Sequence, residues 1–74
     1  MGATRYDNGN TTALQITDPE SGERLTIIQS TIFGKSLMFT TDIDGTMSSI
    51  VVNDADTLRK IKDYLNKSIG WMES

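Results

Sequence analysis

The run Leu37-Met38-Phe39-Thr40-Thr41-Asp42-Ile43-Asp44-Gly45-Thr46-Met47-Ser48-Ser49-Ile50-Val51-Val52 decides the fold. Stretches rich in β-branched and apolar residues flank Asp44-Gly45. An Asp-Gly pair in that setting favours a two-residue type I′ hairpin, because both central residues need φ > 0. The turn fixes the register: Ile43 stands opposite Thr46, Phe39 opposite Ile50 and Leu37 opposite Val52. One face then carries Leu37, Phe39, Ile43, Ile50 and Val52. The other carries Met38, Met47 and Val51 among Thr40, Asp42 and Ser49.

Downstream, Asn53 or Asp54 caps a helix, with Asp56 in the first turn where a negative charge suits the helix dipole. Leu58, Ile61, Leu65, Ile69 and Met72 follow one another at helical spacing and draw a single apolar stripe. Arg59, Lys60, Lys62 and Lys67 fall mostly off it, and Gly70 is the expected stop. Such a helix is long enough to cross a small sheet, and Leu65 would sit near the middle of the contact.

Upstream, residues 12–18 alternate, with Leu14 and Ile16 set against Gln15 and Thr17, and read as a strand. Asp18-Pro19-Glu20-Ser21-Gly22 is a turn, since Pro19 fixes φ and Gly22 can take φ > 0. Residues 24–33 read as the next strand, and Gly34-Lys35 joins it to the strand 37–43. Residues 1–11 are polar, rich in turn formers and aperiodic, and read as a flexible arm. The expected architecture is α+β: a four-stranded antiparallel meander with one C-terminal helix packed on one face, in a single domain over 12–74.

The middle of this scheme does not close. Pairing across the Pro19 turn puts Leu25 and Ile27 on the helix side. Pairing across a two-residue Gly34-Lys35 loop puts Ser30 opposite Phe39 and Ile32 opposite Leu37, so even positions take that side. Strict alternation forbids both. We therefore expect a β-bulge or sharp bend at 27–30, near adjacent Ile27-Ile28; the competing explanation is a longer loop around 33–36, which needs no bulge.

Composition removes several chemistries. The 74 residues contain no Cys and no His, with seven Lys and Arg against ten Asp and Glu for a net charge of −3. That leaves no disulfide, no zinc site of the usual Cys/His kind and no Ser-His-Asp or Cys-His centre. Met1-Gly2 lacks the Ser or Thr that a myristoylation signal needs at position 6, where Tyr6 stands. Asn10-Thr11-Thr12 and Asn66-Lys67-Ser68 fit the glycosylation pattern, which matters only in a secreted chain. With no apolar run of membrane-spanning length and no signal-peptide pattern, the expected location is cytoplasmic and no membrane partner is implied.

Thr41-Asp42-Ile43-Asp44-Gly45-Thr46, preceded by Leu37-Met38-Phe39, resembles the first motif of haloacid-dehalogenase-type phosphatases. The resemblance implies Asp42 as nucleophile, Asp44 as acid/base and a magnesium ion. It covers about six residues, and the 28 that follow Thr46 leave no room for the parallel sheet and later motifs of that family. A hairpin turn requires nothing that is missing. As an EF-hand loop the segment would place Val51 where a bidentate Glu is needed. Gly34-Lys35-Ser36 ends like a phosphate-binding loop, but Gln29 stands where its first Gly belongs. We therefore expect no catalytic residue, no metal site and no cofactor.

A non-catalytic protein-interaction module follows by exclusion: an inhibitor or adaptor of the kind phages and mobile elements encode, binding a larger protein or forming a homodimer. Met38, Met47 and Val51 are the expected partner-binding residues, because methionine tolerates imperfect complementarity and the face opposite a helix should otherwise be wet. The alternative is a small-ligand or nucleic-acid module using the helix cations. The acidic balance and the lack of a sheet-borne aromatic platform count against nucleic acid.

Overall fold

The computed structural model describes residues 1–9, 11–30 and 34–74. Five strands run in chain order, β1 (Gly2–Asp7), β2 (Thr11–Thr17), β3 (Arg24–Ser30), β4 (Ser36–Ile43) and β5 (Thr46–Val52), followed by helix α1 (Ala55–Glu73). The strands form one antiparallel meander in the order β1-β2-β3-β4-β5. The fold is α+β, with one strand more than the sequence pattern indicates. The extra strand is β1: residues read as a flexible arm pair along their length with β2, Gly2 opposite Thr17 and Asp7 opposite Thr12. All six β1 residues are exposed, so this edge strand lacks the apolar alternation that marks the others.

The β4–β5 hairpin is the one Asp44-Gly45 dictates. Ile43 pairs with Thr46, Phe39 with Ile50 and Leu37 with Val52. Asp44 and Gly45 take φ values of 54° and 78°, both left-handed. Across the Pro19 turn, Ile16 pairs with Leu25 and Leu14 with Ile27, as the alternation requires. The turn is closed by the Gly22 N–H donating to the Asp18 carbonyl and the Asp18 N–H donating to the Glu23 carbonyl, each at 2.9 Å. The Asp18 carboxylate accepts a further bond from the Glu20 N–H.

Strand β3 contains no bulge. Its pairing with β4 runs without interruption from Arg24 opposite Asp42 to Ser30 opposite Ser36. Gln29, not Ile32, stands opposite Leu37, and Ile27, not Ser30, stands opposite Phe39. Parity is restored by a longer connection between Ser30 and Ser36; Ile32 and Phe33, read as strand, lie outside the described residues. With that correction one face of the sheet gathers Leu14, Ile16, Leu25, Ile27, Leu37, Phe39, Ile43, Ile50 and Val52.

Asp54 is the helix N-cap, its carboxylate accepting from the Asp56 and Thr57 N–H groups. The Thr57 hydroxyl donates to the same carboxylate. These bonds, the Thr57 hydroxyl first, hold the Asp54 pKa below its ordinary 3.8. A lowered folded-state pKa means that the cap stabilises the helix fully above the unfolded value and loses that contribution as pH falls through the folded one. Circular dichroism should therefore show helix signal fading on acidification below 3.8. Asp54→Ala should start with less helix and lack this acid component; an unchanged titration would remove the cap from the account.

Gly70 does not stop the helix, which runs on to Glu73. Nothing lies within 4 Å of a Cβ placed at Gly70, and its φ is not positive. Gly70→Ala should therefore stabilise the chain by about 0.5–1 kcal/mol, read as a higher Tm.

The helix does not pack across the sheet. No α1 residue is buried, and no strand lies along it. Leu58 and Ile61 are half-buried, whereas Leu65 is 54% exposed and Met72 75%. Leu58 shares an open groove with Leu37, Ser36 and Ala55, where the helix leaves the strand ends. The link from β5 is only Asn53 and Asp54, and Asp54 is extended (φ −132°, ψ 120°). This cap geometry sets the helix direction, and only its first turns meet the sheet. The amphipathic stripe was correctly legible as a face that needs covering, but the chain's own sheet does not cover it.

Candidate functional site: two apolar surfaces

Among the described residues only Thr40, at 8% exposure, is buried, and no apolar side chain is. The larger apolar surface is the sheet face centred on the row Arg5, Leu14, Ile27, Phe39, Ile50, which crosses all five strands. Ile50 is 66% and Ile43 46% exposed. Side chains of this size left open on a regular, half-apolar sheet are what a second protein surface would bury.

The opposite face is built of cross-strand polar pairs. Arg24 and Asp42 form an ion pair at 2.5 Å between opposed residues of β3 and β4. Gln15 donates to the Thr26 hydroxyl at 3.3 Å, and the Thr40 and Ser49 hydroxyls are bonded at 3.0 Å. Beside the Gln15–Thr26 and Thr40–Ser49 pairs, on the side away from Arg24–Asp42, runs a second row, Tyr6, Ala13, Ile28, Met38, Val51, one residue from each strand. Side chains directly opposite across antiparallel strands lie about 4.5–5.5 Å apart at Cβ, so the row is a continuous apolar ridge.

Of the three residues expected to bind a partner, the structure joins two. Met38 and Val51 are directly opposed. Met47 pairs with Asp42 and is separated from them by the Thr40–Ser49 pair. Met47 is 68% and Val51 59% exposed, while Met38 is half-buried between Ile28 and Val51. Sequence reasoning missed Ile28, Ala13 and Tyr6. The first two follow once β3 keeps strict alternation. Tyr6 needed β1, whose signal was Asn8-Gly9, a hairpin dipeptide in which Gly9 has φ 75°.

The two aspartates of the phosphatase-like motif lie on β4 and in the turn that follows it. Asp42 is engaged by Arg24 on the polar face, and Asp44 sits in the left-handed turn. Among the described residues no group of three or more acidic, His or Cys side chains is placed to hold a metal. On the helix, Arg59 is paired with Asp56 one turn earlier, and Lys60, Lys62 and Lys67 are exposed. No helix among the described residues is long and apolar enough to cross a membrane. Comparison of the chain with protein-family models, with curated proteins and with solved structures finds no match.

Proposed function

We propose that this chain is a non-catalytic protein-interaction module, an inhibitor or adaptor of the kind phages and mobile elements encode, acting in the cytoplasm by occupying a surface of a larger protein. The ridge Tyr6, Ala13, Ile28, Met38, Val51 supports this reading, with Met47 two rows away on the same face. An apolar row across all five strands, bordered on one side by the Gln15–Thr26 and Thr40–Ser49 pairs, has the composition of a binding patch: apolar residues against a polar border. Methionine within it lets the surface adapt to its partner.

A photo-crosslinking residue at Val51 tests the assignment. Irradiated in the cells that express the chain, it should give one discrete adduct with a protein larger than the 8.2 kDa chain itself. The same probe at Glu20, in the exposed Pro19 turn, should give none. Absence of a Val51 adduct, or an adduct only with another copy, would overturn the reading.

A further inference from the structure

The other, larger apolar face has a different occupant: we propose that a second copy of this chain covers it, with α1 of each copy lying across the sheet of the other. The proposal extends the interaction-module reading to the opposite side of the sheet and does not use the ridge around Met38.

Three observations carry it. The first is area. The chain exposes 6108 Å², against about 4,500 Å² for a compact monomer of its mass. Its radius of gyration is 13.7 Å, against about 11 Å for a compact domain of this length. The excess is about 1,600 Å² per copy. A pair removing it would bury roughly 3,000 Å² in total, the size of an obligate homodimer interface.

The second is that two surfaces lack partners. The sheet face of Leu14, Ile27, Phe39 and Ile50 is open, and so is the stripe of Leu65, Ile69 and Met72, each more than half exposed. Sheet-on-sheet contact would leave both helices bare. Helix-on-helix contact would leave both sheets bare. Helix on sheet, repeated by a two-fold axis, covers everything with one kind of contact.

The third is length. From Leu65 to Met72 the uncovered part of the stripe extends about 10 Å at the rise of an α-helix. Three neighbouring strands span about 10 Å. The uncovered stripe therefore reaches across β3, β4 and β5, where Ile27, Phe39 and Ile50 stand side by side.

Complementation tests the arrangement. Wild-type chain in sedimentation equilibrium should have twice the 8.2 kDa monomer mass. Ile50→Lys on the sheet and Leu65→Lys on the helix replace side chains that are 66% and 54% exposed in one copy, so each separate chain can keep its strands. Each should weaken self-association about a hundredfold or more, by leaving an ammonium group against apolar surface. Met47→Lys, on the opposite face, should leave the dimer intact. Mixing the two defective chains should then recover part of the association, because the sound helix of one meets the sound sheet of the other while the second contact carries both lysines. Restoration supports the proposal even if either variant alone is poorly folded, since circular dichroism of the mixture would regain the lost signal.

A monomeric wild type at high concentration would overturn the proposal and leave the face to a foreign partner. A dimer indifferent to both lysines would overturn it in favour of pairing between open β5 edges. A mixture that associates no better than either variant alone would overturn helix-on-sheet docking. None of these outcomes depends on the Val51 adduct, so the two readings fail separately.

Discussion

Phe39→Ala should cost about 3–5 kcal/mol in urea unfolding, the range for truncating a fully buried aromatic. Phe39 lies in β4 with Ile27 opposite it on one neighbour and Ile50 on the other, at the centre of the large apolar face. In one copy it is only half-buried, and Ile50 beside it is largely exposed. The size of the loss therefore reports what lies over the sheet. A covered face leaves a cavity where the ring was; an open face admits water to a surface already partly wet. A small domain has only a few kcal/mol of net stability, so the expected loss would unfold most of the population. Unfolding should be followed at several chain concentrations, because a dimer's stability rises with concentration. A loss below about 1 kcal/mol, nearer the range of ordinary surface substitutions, would mean that the face is uncovered in solution.

The same argument separates what was legible in the sequence from what was not. Local rules with a steric cause carried through: Asp44-Gly45 set the β4–β5 register, Pro19 and Gly22 set the β2–β3 register, and Asp54 capped the helix. The failures have separate causes. A charged edge strand with both faces wet has no period to detect, so β1 showed only through its turn. The bulge in β3 was inferred by holding a loop length fixed, when loop length is the cheapest variable in a meander. Gly70 reads as a stop, yet a single helical glycine costs only about 1 kcal/mol and three more residues continue the helix.

The placement of the helix was the deepest error, and it is one of inference from period. An amphipathic stripe states that Leu58, Ile61, Leu65, Ile69 and Met72 want cover; it contains no information on which sheet supplies it. Packing the stripe on the chain's own sheet takes the nearest apolar face as its cover, although a homodimer is also expected. The candidate site suffered likewise. Met38 and Val51 were paired correctly from the hairpin alone, but the rest of their ridge comes from strands whose phase depended on the misjudged loop.

Gly45→Val should lower stability by about 1–2 kcal/mol and Tm by roughly 4–16 °C. Gly45 has φ 78° and Asp44 before it φ 54°, so both central residues of the turn are left-handed. Apart from its chain neighbours, nothing lies within 4 Å of where a Cβ at Gly45 would stand, so the cost is not a clash with a distant side chain but the local backbone's own. A β-branched side chain at this φ presses on the adjoining carbonyl, and the turn can relax only by changing type. Types I and II splay the strands, which would strain the pairs Ile43–Thr46 and Asp42–Met47 next to the turn. Gly45→Asn separates conformation from side-chain bulk, because asparagine tolerates the left-handed region and should recover much of the loss. The expected order of melting temperatures is glycine, then asparagine, then valine. Equal Tm values for the three would show that the hairpin forms without the turn geometry, and that the cross-strand pairs alone hold the register of β4 against β5.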